Sequence, residues 1–342
     1  MDALLTINTV YDNATELYRD RIPVATESNM KDIGIMLTSQ DYEPQKNEFC
    51  KELFYKIMYK DARNRLWKNH LAVLKGPSVP YGGVKEVSHT NPIKGKNFKD
   101  QTTDNLLKSA KADVKTVYFT RNRQDMYEVS VSDAELRTAF TSPAEFNKFY
   151  ESKITALYSG DNMDEYHLMR NTISDCVTEG KIPTIEVDFA GKTSDALKTI
   201  EKISRDFKYQ KVLYAGYNYV NKDAIEAGTL TPCITWCPRD KQVLILREDI
   251  DVDANFDVLA NAFNEERVDF KTRKVFVDAF SDPDILCVLA DESFFEFYDN
   301  EYTMRTFDNG SNLTMKYMLH HWETIQLNAL ANAVAFKQKA QA

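Results

Sequence analysis

Three stretches of the sequence place residues in patterns that chemistry uses. Gly191-Lys192-Thr193 matches the last three positions of a phosphate-cradling loop, where backbone amides and the lysine hold a triphosphate. Glu186 stands where that loop needs its first glycine, so the favoured reading is a turn and a helix start at Thr193 or Ser194. The run Asp249, Asp251, Asp253, Asn255, Asp257 has the alternating oxygens of a calcium loop, but Phe256 replaces the turn glycine and Ala262 the closing glutamate. A solvated strand end leading into a helix fits it better. Cys233 and Cys237 flank Trp236, and with His320-His321 they suggest a zinc site; the spacing is not that of a knuckle, and adjacent strand histidines point to opposite faces. No Gly-x-Ser-x-Gly elbow marks a nucleophile. The expectation is a protein with no catalytic residues, no cofactor and no metal.

The elements that would position any such group start from ordinary bounds. The chain has 342 residues, 43% hydrophobic and 28% charged, enough for a sizeable core, and no linker divides it, which predicts intertwined domains. Its formal charge of -9 repels nucleic acid on average and argues against a sequence-specific binder. Five scattered cysteines suit buried, reduced thiols. The first residues lack the basic and apolar stretches of a signal peptide, and the longest apolar runs are too short to cross a bilayer. Synthesis and use in a cytoplasm, with no membrane, are expected.

Apolar positions Phe49, Leu53, Phe54 and Ile57 predict a helix from Pro44 to about Met58. From Leu71 to Val114 the chain is punctuated by Gly76-Pro77, Pro80, Gly82-Gly83, Asn91-Pro92 and Gly95 and studded with lysines, and little of it is expected to bury a core. Strands are predicted at Val114–Phe119 and Met126–Val131, with polar Arg121–Asp125 between them. A polar excursion of this length reads as an arm that leaves the body and returns, with a neighbouring subunit as its natural partner.

Ser142-Pro143-Ala144-Glu145 supplies a capping serine, a first-turn proline and a glutamate three residues after the cap. The stripe Phe146, Phe149, Tyr150, Ile154, Leu157 follows; Gly160 interrupts it, and Tyr166, Met169, Ile173 and Val177 resume it until Gly180 and Pro183. If continuous, this helix is on the order of 55 Å long and acts as a spine. A mixed region follows: a strand at Thr184–Val187, a helix with Leu197, Ile200, Ile203 and Phe207 on one face, strands at Val243–Leu246, Lys274–Val277 and Ile285–Leu289, and a helix at Phe256–Phe263. Tyr302–Phe307, a turn at Asn309-Gly310 and Leu313 to about Gln326 signal a hairpin that returns the chain end.

The order of parts resembles the Hong Kong 97 capsid fold, an α+β architecture with an N-terminal region, an E-loop, a peripheral (P) domain with a spine helix and an axial (A) domain. Val114-Lys115-Thr116, Arg121-Asn122-Arg123-Gln124, Leu136–Phe140, Asp164-Glu165-Tyr166 with Met169, and Val187-Asp188 resemble the major head protein of the small, short-tailed, protein-primed phages typified by phi-29. So do Asp257–Asn264 with Asp269-Phe270, Tyr298-Asp299-Asn300, His321-Trp322-Glu323-Thr324 and Ala331–Phe336. The likeness is good over about 113–188 and 243–336 and loose elsewhere. The typical member continues into an immunoglobulin-like surface domain, whereas this sequence stops at Ala342, so decoration by such a domain is not expected.

The resemblance implies an N-terminal arm and helix over 1–70, an E-loop over 71–131, a P domain over 132–182, an A domain over 183–308 and a returning strand over 309–342. It implies a major capsid protein that assembles with itself as pentamers and hexamers, with a scaffolding protein and a portal protein, into an icosahedral or prolate virion head built in the host bacterial cytoplasm around double-stranded DNA held by non-specific proximity. Candidate inter-subunit contacts are Lys85, Lys94, Lys96, Arg121 and Arg123, with Gly82 and Gly83, alongside Gly76, giving the arm its freedom of angle. For Arg121 and Arg123 a solvated hairpin tip stands level with a contact to a neighbour's carboxylate. Other readings are an encapsulin-type nanocompartment shell, which shares the fold but packages an enzyme, and an α+β cytosolic enzyme.

Overall fold

The structure, a computed structural model, describes residues 2–58, 67–95, 111–189, 193–253, 273–311 and 313–339. Contacts divide the chain into two compact units, and each takes sequence from several separated stretches: Met1–Asn69, Arg123–Glu165 and Glu301–Trp322 in the first, His70–Asn122, Tyr166–Asn300 and Glu323–Ala342 in the second.

The first unit is a helical body around an aromatic core. Helices Ala3–Asn13, Met30–Leu37 and Glu43–Lys51 were not all foreseen; only the last was, and it runs on through a π-helical stretch at Glu52–Met58. Asp2 caps the first of them by accepting from the Leu4 amide at 3.1 Å. The Ser142 cap is formed as expected, its hydroxyl accepting from the Glu145 amide at 3.3 Å ahead of the helix Pro143–Ile154. Phe49, Phe54, Phe140, Phe146 and Phe149 are buried together with Tyr317, which stacks on Phe54 with ring centroids 4.2 Å apart.

Gly160 does not interrupt the spine. Pro143–Ile154 passes through a π-helical turn at Thr155–Ser159 directly into Gly160–Thr178, and Gly160 itself holds helical angles (φ −59, ψ −50). One extra residue in the turn absorbs the phase change that the two apolar stripes require.

In the second unit a five-stranded sheet has the order β4-β10-β7-β5-β6, formed by β4 (Thr184–Val187), β5 (Gln242–Arg247), β6 (Arg273–Val277), β7 (Ile285–Asp291) and β10 (Ala333–Gln338). β10 runs parallel to β4 and antiparallel to β7; β5 is antiparallel to β7 and parallel to β6. Both faces are covered. Val243, Ile245, Val275 and Val288 pack with Tyr166, Met169, Ile173 and Val177, while Leu244, Leu246, Leu289 and Val334 pack with Leu197, Ile200 and Ile203 of the helix Thr193–Asp206. That two-sided burial is why β5 and β7 read as continuous apolar runs rather than alternating ones.

A two-stranded antiparallel ribbon, β1 (Lys85–Thr90) with β2 (Val114–Phe119), belongs to the same unit, and a three-stranded sheet has the order β3-β9-β8, with β3 at Arg123–Ser132, β8 at Phe295–Asn309 and β9 at Thr314–Leu327. β2 and β3 therefore lie in different sheets, so Arg121–Asp125 is not a hairpin tip. Leu71 and Leu74, in the stretch expected to bury little, are core residues of the second unit. The predicted helix Phe256–Phe263 lies outside the described residues.

Candidate functional site

At the base of the β1–β2 ribbon the described residues of the second unit form a dense polar cluster. In the ribbon, Lys85 faces Phe119, Val87 faces Val117 and His89 faces Lys115, and these inward pairs are half-buried or buried, while Glu86, Ser88, Thr90, Val114, Thr116 and Tyr118 form an open face. Period-two alternation thus gives the ribbon a side for its own body and a side for something else. Val117 packs against Ala215, Cys233 and Leu330. The inward phase also carries Lys115, 8% exposed, and a buried ammonium must find partners. It finds them: Lys115 Nζ donates to Asp113 Oδ2 at 2.8 Å and Thr231 Oγ1 at 3.1 Å, and lies 5.5 Å from the Tyr217 ring centroid.

Asn91 completes this latch. Its Nδ2 donates to Asp113 Oδ2 at 2.6 Å and to the Pro232 carbonyl at 2.7 Å, and its Oδ1 accepts from the Ile234 amide at 2.8 Å. The backbone of Asn91 donates to the Asp113 carbonyl at 3.0 Å, and the His89 ring nitrogen Nε2 lies 2.9 Å from the Ile234 carbonyl. Hydrogen bonds from Lys115, Thr231 and Asn91 hold the Asp113 carboxyl down at about 2. The ribbon is thereby tied to its own unit as far as Asn91 and Asp113.

The expected contact residues fall into distinct settings. Lys85 Nζ pairs with Glu296 Oε2 at 2.6 Å near the Tyr298 ring. Lys94 is exposed, and Lys96 lies outside the described residues. Gly82 needs its glycine, with φ +81, in the Pro80–Gly83 turn; at Gly83 a side chain would crowd Val79 Cγ1 at 2.8 Å. Gly76 is not loose, because its amide donates to the Phe297 carbonyl at 2.8 Å. Arg121 lies over the Tyr81 ring at 5.0 Å. Arg123 is engaged inside the first unit: its side chain is 2% exposed and reaches Asp125 Oδ2 at 2.6 Å, the Tyr127 hydroxyl at 2.8 Å and Asp161 Oδ1 at 3.1 Å.

Sequence reasoning passed over Asn91, Asp113, Lys115 and Thr231. The signal available was Lys115 itself, a charge in the same strand phase as Val117 and Phe119.

The chemical patterns dissolve in their settings. Glu248–Asp253 is helical where a calcium site needs a loop, and Asp249 pairs with Arg247 at 2.6 Å; Asn255 and Asp257 lie outside the described residues. Gly191 and Lys192 also lie outside them, and Thr193 opens a helix. Burial raises the Cys233 thiol to about 11 and pushes Cys237 up further, which disfavours the thiolates a metal needs. On β9, His321 is buried with Nδ1 2.6 Å from Asp161 Oδ1, and His320 is half-buried, the opposite facing that adjacency predicts.

A two-stranded ribbon, a long helix and a mixed sheet make up a fold that matches chains of solved phage capsids. A chain in the capsid structure of Staphylococcus phage Andhra superposes with a TM-score of 0.61 at 12% identity, over 80% of this chain and 85% of that one. A chain from a structure of head fibre and inner core protein of native bacteriophage P68 gives 0.58 at 12% identity, over 80% and 85%. The chain belongs to the Phi29-like phage major capsid protein family, whose model matches residues 7–337. The major capsid protein of Bacillus phage PZA is 28% identical over 332 residues, 96% of this chain and 72% of that protein; the major capsid protein of Streptococcus phage Cp-1 is 22% identical over 342 residues, 95% of this chain and 92% of that protein. The function is therefore that of a phage major capsid protein, a structural protein of the virion. No helix among the described residues is long and apolar enough to cross a membrane.

Proposed function

We propose that copies of this chain tile the phage head as pentamers and hexamers around a scaffolding protein, join a portal protein, and enclose double-stranded DNA, and that the arm beyond the latch clasps the spine helix of a neighbouring copy. The reading that fits least with the relatives' names is an encapsulin or an enzyme. The observation that carries the proposal is the division of the ribbon: its inner side is fully engaged with its own unit, and its outer side has none of that engagement.

Charge supports the pairing. Residues 85–111 hold six lysines against three carboxylates, and residues 143–178 hold six carboxylates against three basic residues. Asp161 and Glu165 of the helix are buried, leaving Glu145, Glu151, Asp164 and Asp175 as the acidic groups that meet solvent or lie at the surface. A basic arm on an acidic rod gives orientation and encounter rate more than affinity. Specific interfaces bury roughly 1,600 Å² in total, and many such contacts on a closed shell act together. The net charge of -9 keeps the wall from adhering to DNA, so enclosure needs no base or phosphate recognition.

The latch says where to cut. Removing Lys85–Lys111 would strip His89 and Asn91 from the root and take away β1, the strand that pairs with β2, so loss of assembly would not be specific to the arm. Replacing residues 92–112 with Asn-Gly instead closes the ribbon between the already bonded Asn91 and Asp113 with a two-residue turn. The expected outcome is a folded, soluble monomer that forms no shells with scaffold in electron micrographs; normal particles from this variant would refute the clasp.

A further inference from the structure

We infer that Asn309 is a modification site: its side-chain amide converts without an enzyme to a carboxylate, through attack by the Gly310 backbone nitrogen. The inference rests on none of the proposed contacts between copies. Asn309 is the last residue of β8, and Gly310 and Ser311 lie exposed in the turn that leads to β9. Of all the asparagines in the sequence, Asn309 alone is followed by glycine.

The attack needs a nitrogen that can be reached, a carbonyl carbon held near it and a place for the charge that develops. Glycine puts no side chain beside its nitrogen, and the space where a Gly310 Cβ would stand is open, with nothing within 4 Å. The Ser311 amide donates to Asn309 Oδ1 at 3.2 Å, and the Ser311 hydroxyl donates to the same oxygen at 2.6 Å. The ring closed by that amide bond already contains Cγ, Cβ, Cα and C of Asn309 with N of Gly310, the atoms of a cyclic imide. Both donors also sit on the oxygen that becomes negative when Cγ turns tetrahedral, as the donors of an oxyanion hole do.

The steps balance with water alone. Hydroxide takes the Gly310 amide proton, the nitrogen's electron pair bonds to Asn309 Cγ, and the Cγ–Nδ2 bond breaks as Nδ2 takes a proton from water and leaves as ammonia. Water then opens the imide. Opening at Cγ gives aspartate, and opening at the main-chain carbonyl gives isoaspartate, which adds a methylene to the backbone. Either product is ionised at neutral pH, so each event makes the formal charge of -9 one unit more negative, next to Asp308. The strand beyond the turn is held separately: the Leu313 carbonyl accepts from the Asp133 amide at 3.2 Å, and Met315 and Tyr317 are buried. A chain can therefore carry the change and stay folded, and the converted fraction records the age of the protein.

Peptide mapping by mass spectrometry of the folded full chain, incubated at neutral and at mildly alkaline pH, reads the site directly, and an isoaspartate assay separates the two products. We expect Asn309 to convert ahead of every other asparagine, at a rate that rises in proportion to hydroxide, with the melting temperature unchanged. Gly310→Ala should slow the conversion about tenfold by crowding the nitrogen, and Ser311→Ala should slow it severalfold by removing one donor from Oδ1. An intact Asn309 in the folded chain would overturn the inference, and so would conversion confined to the chain unfolded in urea, since the turn would then shield the site. An unchanged rate in either variant would overturn it as well.

Discussion

The residues that matter most here are charges that are not where charges usually are. Lys115, Arg123 and Asp161 are each less than a tenth exposed. Lys115 has a half-exposed carboxylate and an exposed hydroxyl as partners, so water can replace much of what it provides. Arg123 differs, because Asp161 is itself buried and also receives the His321 ring at 2.6 Å. Removing the guanidinium leaves that carboxylate short of its cation in a dry setting, and breaking such a pair typically costs about 3–5 kcal/mol. Arg123→Ala is therefore expected to lower monomer stability by that order in urea unfolding, whereas Arg121→Ala, at a half-exposed position over the Tyr81 ring, should cost less. Equal, small losses at both positions would mean that Arg123 is available for a neighbour after all.

At the scale of elements, legibility tracked how locally each element is specified. The Ser142 cap, the β4 and β2 strands and the β8–β9 hairpin were readable because a cap, a β-branched run or an Asn-Gly turn is written within a few residues. The helices Ala3–Asn13 and Met30–Leu37 were missed because their buried faces, such as Ile7 with Val10 and Ile33 with Leu37, are short and gain stability only from the aromatic core they cover. β10 was missed because Ala333-Val334-Ala335-Phe336 has no alternation when both faces of its sheet are buried. The latch was the least visible, since it joins residue 91 to residue 232 and residue 115 to residue 231, and nothing in either neighbourhood names the other.

Gly160 shows a misread signal with a test attached. Glycine in a helical stripe suggests a break, yet here the backbone is helical and a Cβ would meet only Tyr127 ring atoms at 3.7 Å, an ordinary contact. Gly160→Ala should then stabilise the monomer by about 0.4–1 kcal/mol through the loss of unfolded-state freedom. A lower melting temperature would mean that the helix is not continuous through the π turn.

At the scale of the molecule, two kinds of attraction should respond oppositely to salt. Copies that each carry -9 repel one another, but beyond the Debye length of about 8 Å at 0.15 M that repulsion is already screened. What further salt removes is short-range attraction between the arm's lysines and the spine's carboxylates, while burial of apolar surface between copies is unweakened by it. Assembly with scaffold, followed by light scattering, should thus slow severalfold between about 0.15 and 1 M NaCl without stopping. Replacing Lys94, Lys96 and Lys99 with Gln should reproduce the slow rate at the lower salt and flatten the dependence. Identical salt slopes for this variant and the parent chain would show that the arm's charge does not guide it to its neighbour, and that assembly relies on apolar contact alone.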